Sequence, residues 1–297
     1  MTAAHSHIVT LVASREAGPL TAQDVARAMA YAQGRNLVWL EDGRAAEFQA
    51  PAAPDRSALD AVMTHKAVDI FLTRPRGRRK AVLVADMDST IVTAETLDEL
   101  AACAGIKDKI AAITARAMNG ELDFHEAIRE RVGLLKGLPV RALEETWANI
   151  AYCPGARALV ATMNAFGATT ALVSGGFSFF TARVAAELGF AINRANTLLD
   201  DGTALTGEVG EPILDKTAKL ASLEEFAEAR GVKLTACLSV GDGANDLPML
   251  KAAGLGIAYH AKPVVAAEVV NKVVHTDLTA LLFAQGYPAS AFKGVEP

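Results

Sequence analysis

Three short polar clusters hold most of the side chains able to do chemistry, and each closes an apolar run. Asp86-Met87-Asp88-Ser89-Thr90 follows KAVLVA, Ser174-Gly175-Gly176 follows TTALV, and Gly241-Asp242-Gly243-Ala244-Asn245-Asp246 follows TACLSV. Asp, Ser and Gly are ordinary turn residues, so any one cluster alone could be turn punctuation. Three in this order are harder to explain that way. If the runs are neighbouring strands, Asp86, Asp88, Asp242 and Asp246 converge on one crevice. Carboxylates that close raise one another's pKa unless a cation neutralises them. An all-oxygen set suits a hard divalent ion, and a sparse set with room for water and phosphate points to Mg2+.

The elements that must position these clusters are legible in the same runs. Residues 80–85, 169–173, 235–240 and 255–258 (LGIA) are continuous apolar stretches, as in parallel strands covered on both faces. Helical patterns over 156–166, 177–188, 217–229 and 246–253 alternate with them. This predicts a doubly wound, parallel-sheet (Rossmann-like) α/β core, whose ligands bind beyond the carboxyl ends of the strands. Residues 96–149 break the alternation. They are helix-rich, and read as a helical cap inserted into a core made of residues 80–95 and 150–297.

Residues 1–73 carry a pattern of their own. A strand is expected over 7–13 (HIVTLVA) and a helix over 22–32, through Val25, Met29 and Ala32. LVWL (37–40) and residues 45–48 flank the turn EDGR as a hairpin. Asp55 or Ser57 can cap a helix through Leu59, Val62 and Met63, and VDIFL (68–72) is a last strand. The order β-α-β-β-α-β is that of a small α+β ferredoxin-like module. RPRGRRK (74–80), with five basic residues in seven, reads as a solvated linker, because no aromatic residues interleave with it.

Composition narrows the function classes. A chain of 297 residues suggests about two domains, and 51% hydrophobic with 21% charged residues excludes a disordered chain. A net charge of -5 argues against a chain-wide polyanion surface, so no nucleic-acid partner is expected. No apolar run approaches the ~20 residues of a membrane helix, and the first residues lack the basic start of a secretion signal. Cys103, Cys153 and Cys237 form no CxxC pair and read as small buried side chains in a reduced compartment, the cytoplasm. His125 and His260 have no second ligand at transition-metal spacing. Neither GxGxxG after the first strand nor a GxxxxGK[ST] loop occurs, which removes the dinucleotide and P-loop readings.

The order DMDST, SGG, a later lysine and GDGANDLPML resembles the haloacid dehalogenase superfamily of phosphohydrolases. Within it, DMDSTIVTAETLDELA, ITARAMNGELDF and RERVGLLKGLP are similar to the phosphoserine phosphatase family, over more than two-thirds of the chain. The first 73 residues more weakly resemble the regulatory, ACT-like module of some members, which could bind an amino acid or mediate a homodimer. The resemblance implies that Asp86 is a nucleophile forming an aspartyl-phosphate and Asp88 a general acid and base. It implies Mg2+ ligation by Asp86, Asp242, the carbonyl of Asp88 and Asp246, directly or through water. Ser174 and the N–H of Gly175 would donate to phosphate, aided by a helix starting near Phe177. Lys216 would face Asp86, with Lys219 the nearby competitor, and Asn245 would bond near the phosphate or orient Asp242. For substrate choice, Glu95 at the entry to the cap would take a substrate ammonium and Arg131 within it the carboxylate, under Met118 and Phe124.

The expected activity is hydrolysis of O-phospho-L-serine to serine and phosphate, a step of serine biosynthesis. Two alternatives stay open on the residues. One is a related phosphotransferase or a phosphatase of another small phosphomonoester; the other is a regulatory protein phosphorylated on Asp86.

Overall fold

The structure, a computed structural model, describes residues 7–118 and 121–295. The first module runs β1 (His7–Ala13), α1 (Ala22–Ala32), β2 (Arg35–Glu41), β3 (Ala45–Ala50), α2 (Arg56–Val62) and β4 (Val68–Thr73). Its sheet is antiparallel, in the order β2-β3-β1-β4. Successive strand side chains point to opposite faces, and in β1 both faces are covered. Val9, Leu11 and Ala13 join Val25, Ala28 and Leu59 of the two helices. Val12, with Phe71, Leu40 and Ala45, joins the main core of the molecule instead. That is why HIVTLVA shows no apolar–polar alternation.

The second part begins with β5 (Val82–Ala85). Four helices follow: α3 (Thr96–Cys103), α4 (Lys107–Met118), α5 (Phe124–Gly133) and α6 (Arg141–Trp147). The chain then runs α7 (Ala156–Ala165), β6 (Thr169–Phe177), α8 (Ser178–Leu188), β7 (Ile192–Asn196), β8 (Leu198–Asp200) and β9 (Leu205–Val209). It ends with α9 (Ala218–Ala229), β10 (Cys237–Gly241), α10 (Leu247–Ala252), β11 (Leu255–Tyr259), α11 (Pro263–Glu268), β12 (Asn271–Val273) and α12 (Ala280–Ala284). The six-stranded sheet β12-β11-β10-β5-β6-β7 is parallel throughout, so the fold is the expected doubly wound α/β core.

Strand order reverses between β5 and β10, which opens the crevice where such sheets bind ligands. Ala85 pairs with Val240, and the Asp86 N–H donates to the Val240 carbonyl at 3.0 Å. Asp86 and Asp242 therefore leave the sheet side by side.

Several elements differ from the sequence reading. The edge strands β7 (INRAN) and β12 (NKV) are too polar or too short to stand out as buried runs. The β8–β9 hairpin is also new. It braces the segment after α5 through backbone bonds from Gly137 to Leu205 and from Leu205 to Leu138, each 2.8 Å. The basic linker is not simply solvated: Arg78 grips Glu47 with both terminal nitrogens, at 3.0 and 2.5 Å. Arg79 stacks over Tyr287, 4.5 Å from the ring centre. Cys103 is exposed, whereas Cys153 and Cys237 are buried. Among the described residues no helix is long and apolar enough to cross a membrane.

The first module is fixed to the second by buried polar groups. The Asp69 carboxylate on β4 accepts from the N–H groups of Val274, His275 and Thr276 and from the Thr276 hydroxyl, at 2.6–3.2 Å. Asn271 pairs its side-chain amide with the backbone of Leu72. Arg44 reaches Asp277 and Thr279 at 2.9 Å each.

Candidate active site

Asp86 follows β5 and is 6% exposed. Its Oδ1 accepts from the Met87 N–H at 2.8 Å, and its Oδ2 lies 2.7 Å from the Lys219 ammonium. The chain then turns tightly, with Thr90, Ile91 and Val92 all donating to the Met87 carbonyl. Ser89 takes a left-handed conformation, φ +54°, that costs a non-glycine residue energy and is held by its surroundings. Its hydroxyl donates to Glu95 at 2.8 Å.

Asp86, Asp242 and Asp246 are all buried and each offers an oxygen, the three within 4.8 Å of one another. Lys219 spans two of them, 2.6 Å from Asp246. Gly243 donates to the second Asp246 oxygen at 2.9 Å, and Thr90 to Asp242 at 3.4 Å. A side chain on Gly241 would collide with Asp246, so the close approach requires glycine there. Burial pushes Asp86 well above the usual carboxylate range; Lys219 opposes this and Asp246 adds to it. Burial and Asp246 raise Asp242 as well. Three carboxylates against one ammonium leave an excess negative charge that a hard divalent cation would neutralise. The donor set therefore fits the expected metal. The Asp88 side chain stands outside this trio.

The lysine facing Asp86 is Lys219, not Lys216. Asp215 accepts from the backbone and hydroxyl of Thr217, and this turn starts α9 at Ala218. Lys219 then falls on the buried stripe with Ser222, Leu223, Phe226 and Ala227, while Lys216 precedes the helix and is exposed. Against the cost of burial, Asp86 and Asp246 hold the Lys219 ammonium charged, with its pKa pushed up to about 12. Helical spacing back from Leu223 and Phe226 was the available sequence signal.

Asp88 accepts from the Thr96 N–H at 3.1 Å, at the first turn of α3. Desolvation in the cleft, then the charge of Glu95, push its pKa up to about 7, against the bonds from Thr96. Opposite lies the end of β6, which continues through Ser174-Gly175-Gly176 to Phe177 rather than stopping at Val173. Ser174 is buried and accepts from the Gly176 N–H at 2.9 Å. A Cβ on Gly176 would sit 3.0 Å from Asp88 and 3.1 Å from the Ser174 hydroxyl, so only glycine leaves both free. Helix α8 begins at Ser178.

These groups share one cavity of about 190 Å³. It brings together Asp86, Asp88, Glu95, Phe124, Arg131, Ser174, Gly175, Asp242 and Asn245. Leu97, Ile128, Phe177 and Lys262 line it too, and none was singled out by sequence. Arg131 is half-buried; burial lowers its pKa, while Asp98 and Glu95 raise it. Met118 closes α4, and its side chain lies outside the described residues. His125 faces Asp215 at 3.9 Å, and among the described residues no histidine or cysteine joins it in a metal-binding group.

Residues 83–251 match the family model of haloacid dehalogenase-like hydrolases. The chain belongs to that family. Among curated relatives, a phosphoserine phosphatase of Streptococcus thermophilus is 44% identical over 67% of this chain and 93% of its own length. One of Archaeoglobus fulgidus is 43% identical over 73% of this chain, a match spanning 63% of the relative's own length. The structure of a probable phosphoserine phosphatase from Vibrio cholerae superposes with a TM-score of 0.79. It is 31% identical, covering 97% of this chain and 88% of that one. A phosphoserine phosphatase solved as a phospho-aspartyl intermediate analogue gives 0.63 and 38%, over 69% of this chain and 98% of that one. This haloacid dehalogenase-like hydrolase is thus an enzyme grouped with phosphoserine phosphatases.

Proposed function

We propose that the enzyme hydrolyses O-phospho-L-serine, with Mg2+, through an aspartyl-phosphate on Asp86. The observation that carries this reading is one small cavity uniting Asp86, backed by the Lys219 cation, with Glu95 and Arg131. A free phospho-amino acid presents phosphate, ammonium and carboxylate, and the cavity offers a partner for each. Arg131 can take the carboxylate through two N–H groups, and Glu95 the ammonium. Phe124, Leu97 and Ile128 close the apolar side, limiting the substrate to a short chain.

In the first half-reaction an Asp86 oxygen attacks phosphorus, the bond from phosphorus to the serine oxygen breaks, and Asp88 gives that oxygen its proton. In the second, Asp88 takes a proton from water, the water oxygen attacks phosphorus, and phosphate leaves Asp86 free. A group with a pKa of about 7 can serve in both forms near neutrality. Lys219 holds Asp86 oriented and offsets charge on the transferring group. Asp86, Asp242, Asp246 and the Asp88 carbonyl would hold Mg2+, which when bound draws phosphate toward Asp86 and offsets their repulsion. Support for the covalent route comes from the relative solved as a phospho-aspartyl intermediate analogue. The three free cysteines favour a reduced compartment, and we assign the cytoplasm.

The test is phosphate release from phosphoserine, phosphothreonine and small sugar phosphates, with Mg2+ and with EDTA. Phosphoserine should be the preferred substrate, EDTA should stop turnover, and Asp86→Asn should abolish it with the fold intact. Wild-type rates in that variant would remove the nucleophile.

A further inference from the structure

We propose that Lys262 is a substrate-positioning residue, capturing the phosphate dianion at the lip of the cleft beside Asp242. This rests on the phosphomonoester reading above. Among the described residues lining the cavity only Arg131 and Lys262 are cationic, against Asp86, Asp88, Glu95 and Asp242. Arg131 comes from α5; Lys262 comes from the loop between β11 and α11. Lys219 is already taken up by Asp86 and Asp246. The Lys262 ammonium forms no ion pair or hydrogen bond among the described residues; its charge acts on the Asp242 carboxylate at longer range, and its N–H groups are open to a ligand. Asp86, Asp88 and Asp242 outnumber the protein's own cations on this side, so Lys262 would add to what a bound Mg2+ supplies against the repulsion of an entering phosphate dianion.

Local rules do not account for a lysine here. Lys262 is the N-cap of α11, where its side chain makes no capping bond. A positive charge there also opposes the helix dipole. Such local violations concentrate at functional sites. The loop is nevertheless built with care. His260 sits at φ +42°, its backbone N–H donates to Val273 at 2.9 Å, and its ring Nε2 lies 3.0 Å from the Thr276 carbonyl. A carbonyl can only accept, so that nitrogen carries the proton. Thr276 is held in turn by Asp69 of the first module. The bend brings the Lys262 N–H onto the Asp242 carbonyl at 3.1 Å, fixing the lysine beside that carboxylate.

The experiment compares wild type, Lys262→Gln and Lys262→Arg, all with Mg2+, in two assays. The first is phosphoserine turnover at several ionic strengths; the second is calorimetric binding of inorganic phosphate. Lys262→Gln should lower kcat/KM about five- to tenfold through KM, flatten its salt dependence, and weaken phosphate binding by a similar factor. Lys262→Arg should restore both within about twofold, which a merely structural lysine would not predict for the salt slope. Unchanged KM, salt slope and phosphate affinity in Lys262→Gln would overturn the proposal. If wild type failed to turn over phosphoserine while Lys262→Gln still lost phosphate affinity, the substrate reading would fall and Lys262 would stand.

Discussion

Lys219 and Lys216 lie three residues apart, yet only Lys219 can act on Asp86, because α9 buries the one and leaves the other in solvent. Removing the buried cation also strands two carboxylates. Lys219→Met should therefore cut phosphoserine turnover by about 100- to 1,000-fold, whereas Lys216→Ala should stay within about twofold. Equal effects on phosphate release would contradict the geometry. Arg131 supports a finer test, since a carboxylate-binding role matters only for substrates that carry one. Arg131→Ala should lower kcat/KM for phosphoserine about 30- to 100-fold and for an aryl phosphate less than about threefold. Parallel losses on both substrates would assign Arg131 to the general scaffold.

At the scale of elements, the positioning helices depend on end chemistry that the sequence spells out. Helix α1 opens with a box in which Thr21 and Asp24 each bond the other's backbone N–H. Burial pushes the Asp24 carboxyl up, but bonds from His65 and Thr21, with the charge of Lys66, outweigh it and hold the pKa at about 2. Since this folded value is below the ordinary 3.8, Asp24 stabilises the fold above about pH 4 and loses that contribution as pH falls toward 2. Asp24→Ala should cost about 1 kcal/mol at pH 6 and make the acid limb between pH 4 and 2 shallower, read from urea midpoints. An unchanged limb would show that the box does not set acid stability. Helix α9 gives the complementary lesson. It starts one residue later than its sequence pattern indicates, and the turn at Asp215 sets Lys219 rather than Lys216 as the side chain that enters the site.

Across the whole molecule, the first module is part of one core rather than an appendage, since Val12, Leu40, Ala45 and Phe71 belong to the same buried apolar cluster as Leu281 and Phe283. The Arg44 side chain is 7% exposed, and its truncation would strip Asp277 of its ion pair with Arg44, leaving the bonds between Asp277 and Thr279. Arg44→Ala should destabilise by about 2 kcal/mol in thermal or urea unfolding, and no loss would mean the junction is held by apolar packing alone. By itself the amino-acid sequence determined the alternating α/β core, the β-α-β-β-α-β start, and the three clusters supplying Asp86, Ser174 and Asp242. Each follows from local periodicity and turn chemistry, which neighbouring residues set. Only the tertiary structure decided that Lys219 faces Asp86, that Lys262 joins the cleft, and that Arg78 and Asp69 weld the two parts together. Those outcomes depend on helix phase and on contacts between residues far apart in the chain, and a solvated and a buried cation look the same in a string of letters.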